Sequence, residues 1–268
     1  MNHMKRFFKY CLWTLGVLVA LVAAFAWYVR SNDAAFEALG GGDSIVIVAH
    51  AGGAIDGVEY TNSREAVEHS LAGGCRFIEL DLVPSAEGHL IAFHTNFDRP
   101  DTLYSSDPPS LAEFTGKKIW GRYTPLTIED IDTLMRAHPE MILVVDKTDD
   151  PDLLDRYFAS YRDRVMVECF SMERYIEVSK RGYRYALLNY QAFSLMATLK
   201  QDLKHLFNSD EPRVGAVVMN HKMYRDMLKD KINWLNRPVA AYVAHNAAEA
   251  DSIAAAIPRC ALIYSNEP

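Results

Sequence analysis

The hexapeptide FIELDL, residues 77–82, carries two carboxylates, Glu79 and Asp81, inside an otherwise apolar run. A run of this kind is typical of a strand that is buried on both faces, as in a parallel sheet covered by helices. Side chains two positions apart point to the same side of a strand, so both carboxylates face one point. Inside a barrel of parallel strands, that direction is toward the barrel axis.

Short runs rich in β-branched residues recur on both sides of this hexapeptide and alternate with amphipathic stretches. The candidate strands are Ser44–Ala49, Phe77–Leu82, Leu90–Phe93, Ile142–Asp146, Val165–Cys169, Tyr185–Leu188, Gly215–Met219, Pro238–Val243 and Ala261–Tyr264. The clearest helical patterns are Ser63–Ala72, Thr127–Ala137 and Asn246–Ala256. This alternation predicts parallel pairing through helical crossovers, and about eight units predict an α/β fold, a (β/α)8 TIM barrel. Nine candidates are one too many for a barrel, so one is an edge or loop piece, and counting alone leaves an open doubly wound sheet as the alternative.

The composition indicates a globular chain without a nucleic-acid partner. Half of the 268 residues are hydrophobic and 24% are charged, which suffices for a large core. The formal net charge is −7 and the pI is about 5.7, so no basic stripe is expected to neutralise nucleic-acid phosphates. The four cysteines occur singly, without zinc-site spacing, and are interpreted as structural thiols.

The N-terminus reads as a membrane anchor. Lys5, Arg6 and Lys9 precede an uncharged run over residues 10–29, which is long enough to cross a bilayer as a helix. The positive-inside rule places the start in the cytoplasm and the rest of the chain in the periplasm or outside the cell. The alternative is a cleaved signal peptide, because Ala24–Ala26 fits an A-x-A site.

Three regions follow from these patterns. Residues 1–30 form the anchor or signal peptide, residues 31–43 a polar linker that ends in three glycines, and residues 44–268 the barrel domain. Within the barrel, the stretch Ala197–Arg237 is interpreted as a helical surface without chemistry of its own.

Polar residues follow several of the predicted strands directly. His50 comes after IVIVA, His94 after LIAF, and Asp146 with Lys147 after ILVV. In a barrel the carboxyl ends of the strands meet at one face, where active sites are built from several strands at once. We therefore expect these side chains to lie close together.

The residue types at this face predict metal-assisted acid–base chemistry. Glu79 and Asp81, with Asp146 as a third ligand, offer only oxygen atoms, which suit Mg²⁺ or Ca²⁺. His50 and His94 could act as a base and an acid near neutral pH. Lys147 could meet a phosphate oxygen, but it and Asp146 can both enter the pocket only if the strand ends or bulges there.

The segments VAHAGG (48–53), TNSREAVEHSLAGGCRFIELDL (61–82) and EGHLIAFH (87–94) resemble the opening of the glycerophosphodiester phosphodiesterases. The resemblance implies a TIM barrel that cleaves phosphodiesters. It assigns His50 and His94 as acid and base, and Glu79 and Asp81 as divalent-metal ligands. Lys147 then lies at the phosphate, and Asn62 matches the family's Glu-Asn-Thr motif and is assigned to substrate binding.

The sequence departs from the family pattern at three positions. Ala51 stands where the family has Arg, Thr61 where it has Glu, and Thr95 where it has Asp. A phosphate clamp and one metal ligand are therefore missing. Glu59 is a candidate replacement for the missing metal ligand. Asp146 also stands one place nearer to its Lys than the family's acid does.

The predicted function is hydrolysis or transesterification of a small or lipid phosphodiester, such as a glycerophosphodiester, a phospholipid headgroup or an envelope glycan. One alternative is an inactive barrel that binds a phosphodiester or envelope glycan, motivated by Ala51 and Thr61. Another is a lyase or aldolase that forms a Schiff base on Lys147.

Overall fold

Nine strands and ten α-helices, with short 3-10 and π-helical segments, make up the regular structure of the described chain. The computed structural model describes residues 2–30, 39, 45–94 and 104–268. The strands are β1 Val46–Ala49, β2 Phe77–Pro84, β3 Leu90–Ala92, β4 Ile142–Asp146, β5 Val165–Cys169, β6 Tyr185–Asn189, β7 Ala216–Asn220, β8 Val239–Ala244 and β9 Cys260–Ser265. The α-helices are α1 Asn2–Arg30, α2 Arg64–Ala72, α3 Leu111–Gly116, α4 Ile128–Ala137, α5 Pro151–Phe158, α6 Met172–Lys180, α7 Leu195–Phe207, α8 His221–Met223, α9 Lys229–Leu235 and α10 Ala247–Ala256.

Eight of the strands close into a parallel barrel. The order β1-β9-β8-β7-β6-β5-β4-β2 is completed by a parallel pairing of β1 with β2, in which Ala49 lies opposite Ile78. At the other side of β1, Ala49 lies opposite Ser265 of β9. The predicted TIM barrel is confirmed, and the open sheet is excluded because the first strand pairs with both of its neighbours.

The ninth strand lies outside the barrel. β3 pairs with β2 in the antiparallel sense, with Leu82 opposite Ala92, and extends the end of β2 beyond the barrel wall. This is the surplus strand that the pattern predicted. Its position carries the chain from the end of β2 to His94.

The two faces of each barrel strand pack in different layers. Along β4, Ile142 and Val144 join the cluster inside the barrel, whereas Leu143 and Val145 pack against the surrounding helices. The same alternation sends the side chain of Asp146 inward. On β2, Ile78, Leu80 and Leu82 face the helices, so Glu79 and Asp81 face the barrel axis as the period of two predicts.

Helices begin where the sequence supplies capping side chains. Ser63, Thr127 and Asn246 each accept a hydrogen bond from a backbone N–H in the first turn of α2, α4 and α10. These caps follow the loops that leave the carboxyl ends of the strands. Each cap therefore fixes the point at which its loop joins the following helix, on that face of the barrel.

One helix precedes the barrel. Within α1, Met4–Trp27 has a mean hydropathy of 2.0, lies outside the core, and is long and apolar enough to cross a membrane or to serve as a signal sequence. The predicted linker lies outside the described residues except for Leu39. Leu39 is 2% exposed and packs into the cluster inside the barrel, beside Val48 and Phe77.

The four cysteines Cys11, Cys75, Cys169 and Cys260 are free thiols, and the last two are buried. This agrees with their interpretation as structural residues.

Candidate active site

A cavity of about 370 Å³ opens at the carboxyl ends of the barrel strands. Six of the predicted site residues line it: His50, Glu79, Asp81, His94, Asp146 and Lys147. They come from four separate strand ends, so closure of the barrel is what brings them together. Asn62 does not line the cavity but is hydrogen-bonded to Asp81, which does.

Three carboxylates form a cluster in this cavity. Glu79, Asp81 and Asp146 each offer one oxygen atom, and these atoms lie within 4.8 Å of one another. Asp81 and Asp146 are direct partners in the register of β2 and β4, which explains their proximity. The Oε1 atom of Glu79 is buried and has no hydrogen-bond partner in the described part of the chain. A buried carboxylate oxygen without a donor is costly unless a cation meets it, so these residues fit a divalent metal.

Asn62 holds Asp81 in place through two hydrogen bonds. Its side-chain Nδ2 donates to Asp81 Oδ2 at 2.9 Å, and its Oδ1 accepts from the backbone N–H of Asp81 at 3.0 Å. Asn62 is fully buried. Its contacts orient a carboxylate of the cluster, whereas substrate contact by Asn62 itself stays a prediction.

The end of β4 places both Asp146 and Lys147 in the cavity. The strand ends at Asp146, and Lys147 takes a left-handed backbone conformation with φ of 68°. That turn sends the Lys147 ammonium back to the carboxylates, with Nζ 3.1 Å from Asp146 Oδ2 and 3.5 Å from Asp81 Oδ1. Left-handed conformations of non-glycine residues are strained and concentrate at functional sites. Ala51 and Asn62, also at this site, share the feature with φ of 50° and 48°.

Burial, together with the crowding of like charges, raises the pKa of Glu79 and the pKa of Asp146. Burial, followed by the charges of Asp81 and Asp146, raises the pKa of Glu79 well above its usual range. Burial and the charge of Asp81 likewise raise the pKa of Asp146. Burial opposes charge on Lys147, but Asp146 and Asp81 outweigh it and raise its pKa. Lys147 is thus held as an ammonium, which does not suit a Schiff-base lysine because that chemistry starts from a neutral amine.

His50 is oriented by the last residues of the chain. Its Nδ1 lies 2.9 Å from Asn266 Oδ1, and its Nε2 lies 3.9 Å from Glu79 Oε2. Since an amide oxygen only accepts, Nδ1 carries the proton and Nε2 presents its lone pair toward the carboxylate cluster. Burial lowers the pKa of the imidazole despite the nearby charge of Asp81. A neutral imidazole with a free Nε2 lone pair is suited to accept a proton.

Tyr60 lies beside both histidines. Its ring meets His50 edge-to-face with centroids 4.8 Å apart, and its centroid is 6.4 Å from that of His94. His94 is partly buried at the wall of the same cavity. The two imidazoles therefore line one cavity and share the ring of Tyr60 as a neighbour.

A fourth acid on the cavity wall escaped sequence reasoning. Glu168 of β5 is buried, accepts a hydrogen bond from Tyr264 Oη at 2.6 Å, and lies 3.4 Å from Asn189 Nδ2. Burial, with the charge of Asp146, raises its pKa to about 8. The available signal was a charged residue inside the apolar run VMVEC, the same pattern that marked FIELDL.

The positions that depart from the family pattern take other contacts. The Thr61 hydroxyl lies 2.9 Å from the Ser63 hydroxyl, and the backbone N–H of Ala51 donates to Glu79 Oε2 at 2.7 Å. Glu59 pairs with His245 at 3.2 Å instead of joining the acidic cluster found among the described residues. Thr95 lies outside the described residues.

Several solved structures share this architecture. A putative glycerophosphoryl diester phosphodiesterase from Agrobacterium tumefaciens superposes with a TM-score of 0.61 at 15% identity, over 84% of this chain and 95% of that chain. The enzyme from Thermotoga maritima gives a TM-score of 0.58 at 13% identity, over 84% and 96% of the two chains. The chain has the fold of the glycerophosphodiester phosphodiesterases.

Within this glycerophosphodiester phosphodiesterase fold, a third structure shows a bound product. The Oleispira antarctica phosphodiesterase, in complex with sn-glycerol-3-phosphate, matches with a TM-score of 0.56 at 13% identity over 84% of this chain and 94% of that chain. No protein-family model and no curated protein matches the sequence. The resemblance seen in residues 48–94 is therefore confirmed by the fold and not by overall sequence similarity.

Proposed function

We propose that this protein is a metal-dependent phosphodiesterase that cleaves glycerophosphodiester-like or phospholipid-headgroup phosphodiesters. The observation that carries the proposal is the carboxylate cluster of Glu79, Asp81 and Asp146, with its unpaired Glu79 oxygen, beside two histidines in one cavity. The fold shared with glycerophosphodiester phosphodiesterases supports it.

The charge of the cluster matches a divalent cation. When ionised, three carboxylates and the Lys147 ammonium leave two net negative charges. Their all-oxygen donor set favours Mg²⁺ or Ca²⁺ over zinc. When bound by Glu79, Asp81 and Asp146, such an ion supplies positive charge for the phosphoryl oxygens. Lys147 supplies a second positive charge at the same wall of the cavity.

The two histidines divide the proton transfers. His50 Nε2 takes the proton from the attacking hydroxyl or water as the new bond to phosphorus forms. His94 gives a proton to the leaving alkoxide as the bond between phosphorus and that oxygen breaks. Asn266 keeps His50 in the required tautomer through its hydrogen bond to Nδ1. If the attacking hydroxyl belongs to the substrate, the product is a cyclic phosphate.

The size of the cavity favours a small polar group. A volume of about 370 Å³ is at the lower end of the range for ligand sites and fits a glycerophosphodiester or a headgroup better than an acyl chain. The product in the Oleispira antarctica structure, sn-glycerol-3-phosphate, is of this size class.

We further propose that α1 is a retained single-pass anchor. Lys5, Arg6 and Lys9 on its N-terminal side favour a cytoplasmic start and a periplasmic or extracellular barrel. The barrel would then meet phosphodiesters of the envelope.

The test is turnover by the full-length protein in detergent micelles, with glycerophosphodiesters and bis(p-nitrophenyl) phosphate as substrates. Activity is measured with Mg²⁺, with Ca²⁺ and with EDTA, and ³¹P NMR separates phosphomonoester from cyclic products. We expect His50→Ala and Glu79→Gln to lower turnover by about 10²-fold or more. The matched controls are His89→Ala and Glu129→Gln, which alter exposed residues away from the cavity.

Metal binding is followed separately through the thermal midpoint of unfolding. Wild-type protein and His50→Ala should both gain stability with metal, whereas Glu79→Gln should gain little. Metal-induced stabilisation without turnover on any of these substrates would overturn the enzyme proposal in favour of a binding protein.

A further inference from the structure

Helix α7 is turned inside out relative to an ordinary barrel helix. The residues it buries are polar, namely Thr198, Gln201 and Asp202. Large apolar side chains point outward: Phe207 is 85% exposed and Met196 is 73% exposed, and Leu203 and Leu206 are exposed as well. A surface helix normally buries its apolar stripe, so this outward stripe requires a nonpolar environment of its own.

Polar contacts under the helix fix this orientation. Asp202 forms a fully buried ion pair with Arg237, which also donates to the carbonyl of Val214. Gln201 Nε2 donates to the carbonyl of Pro212 at 2.8 Å. Rotating α7 to bury its apolar stripe would break these contacts and leave a charge unpaired in the interior, so the stripe stays outward.

The apolar stripe lies beside the candidate membrane span. Phe25 of α1 packs in a cluster with Leu195 and Leu199 of α7. The two helices border one open groove of about 1110 Å³, lined on the α1 side by Leu18, Leu21, Val22 and Phe25. One wall of the groove is therefore part of the candidate membrane span, and its other wall is the stripe of α7.

Cations border the apolar stripe. Lys200 and Lys204 line the groove and are both exposed. Long basic side chains at the edge of an apolar face can extend to lipid phosphates while their methylenes lie along the hydrocarbon. Apolar residues flanked by lysines complement the boundary between acyl chains and anionic headgroups.

We propose that α7 is a second membrane contact, seated in the bilayer leaflet on the side of the barrel, with lipid acyl chains filling the groove between α7 and α1. The choice of lipid rests on the anchor proposed above. If α1 crosses the bilayer, a groove that α1 lines opens into the lipid that surrounds it. The barrel is then held at the surface by a helix face as well as by its anchor. Because α7 follows β6, whose Asn189 lines the catalytic cavity, this contact lies on the same side as one wall of that cavity.

The test measures lipid contact at α7 directly. Full-length protein in a Cys11→Ser, Cys75→Ser background receives one environment-sensitive fluorophore at Phe207→Cys or, as the matched control, at Glu129→Cys on α4. Both positions are exposed, so labelling leaves the fold intact. The proteins are reconstituted in vesicles of phosphatidylcholine and phosphatidylglycerol with and without doxyl-labelled lipid.

We expect the label at position 207 to be quenched by doxyl-labelled lipid at least about twofold more than the label at position 129, and to be protected from aqueous iodide. Equal lipid quenching at the two positions would overturn the proposal. Protection from iodide without lipid quenching would also overturn it, because a second copy or another protein would then cover the stripe.

A second variant tests the stripe itself. Leu203→Asp with Leu206→Asp adds charge to exposed positions without touching the buried polar face of α7. We expect it to abolish the lipid quenching of the label at position 207 while α1 keeps the protein in the membrane. Undiminished quenching in this variant would show that proximity to α1 alone, and not the stripe, brings the label to lipid.

Discussion

Asn62 shows how a single buried amide can orient a member of the carboxylate cluster. It makes two hydrogen bonds to Asp81, one to the carboxylate and one to the backbone. We expect Asn62→Ala to lower the free energy of unfolding by about 1–3 kcal/mol, because a buried carboxylate loses a donor. Urea unfolding in EDTA, followed by circular dichroism, measures the change. Asn208→Ala, which removes an exposed amide, should cost much less, and equal losses would contradict this role for Asn62.

Glu168 makes stability depend on pH. Its pKa is about 8 in the folded protein against an ordinary value of 4.5, so between these limits the folded chain holds a proton that the unfolded chain has released. The stability that Glu168 contributes is therefore fully present below pH 4.5 and is lost as the pH rises through about 8. Glu168 can change the free energy of unfolding by at most about 1.4 kcal/mol per pH unit.

The comparison that isolates this effect is wild type against Glu168→Gln. In EDTA, the difference in unfolding free energy between the two should change in favour of the variant as the pH rises across the window. Glu129→Gln, at an exposed position, should run parallel to wild type. A pH-independent difference between wild type and Glu168→Gln would contradict a raised pKa.

At the residue scale, the sequence predicted the parts of the site that adjoin strand ends near FIELDL. His50, Glu79, Asp81 and Asp146 are each visible as a polar residue in or after an apolar run. Asn266 and Tyr60 were not predicted, because their roles depend on contacts with His50 that only the closed barrel creates. The proton positions that distinguish base from acid depend on the same contacts.

At the scale of single elements, α4 is held at its start by a reciprocal cap. The Thr127 side chain accepts from the backbone of Asp130, and the Asp130 side chain accepts from the backbone of Thr127. Asp130 also pairs with Arg64 at the start of α2, so one cap joins two loops at the active-site face.

We expect Thr127→Ala to lower the free energy of unfolding by about 1 kcal/mol without changing metal-induced stabilisation. Chemical unfolding of the full-length protein, with and without Mg²⁺ or Ca²⁺, measures both quantities. Thr133→Ala removes an exposed hydroxyl of the same helix and should have a smaller effect. A loss of metal-induced stabilisation in Thr127→Ala would mean that the cap also sets the geometry of the site.

Element types were predictable because apolar runs and amphipathic stretches differ in period. The predicted bounds of β4 and β5 match the structure at both ends. The end of the strand at Asp146 was foreseen only as a condition, and the left-handed turn at Lys147 was not predicted, since a lysine carries no local preference for that conformation. The outward apolar stripe of α7 was not predicted, because the period of a helix reveals an apolar face but not the direction in which it points.

At the scale of the whole molecule, a membrane anchor and a signal peptide differ in whether α1 stays on the mature protein. We expect membrane fractions washed at high pH to retain a chain of 30.3 kDa that includes α1. Intact-mass analysis measures the mature N-terminus. The variant Ala26→Phe, which blocks an A-x-A site, should leave the mass unchanged apart from the substitution. A mature chain that begins after Ala26 would contradict the anchor.

Closure of the barrel was the part of the architecture that strand counting could not decide. The decisive contacts are those of β1 with β9 and with β2, which join the two ends of the domain. Pairing over so long a separation in the chain leaves no local trace in the sequence. The expectation of a barrel came from about eight strand–helix units and from polar residues at the strand ends, and the family resemblance agreed with it.

Leu39 limits the distance between the barrel and the end of α1. It packs inside the barrel, only nine positions along the chain from Arg30 at the end of α1. Nine residues reach at most about 30 Å when fully extended. If α1 is the anchor proposed above, the end of the barrel that holds Leu39 therefore lies within about 30 Å of the end of the membrane span. With α1 as the proposed anchor, the proposed phosphodiesterase would sample only a thin layer at the membrane, and it would meet headgroups by lateral diffusion more often than it meets molecules dissolved in the surrounding volume.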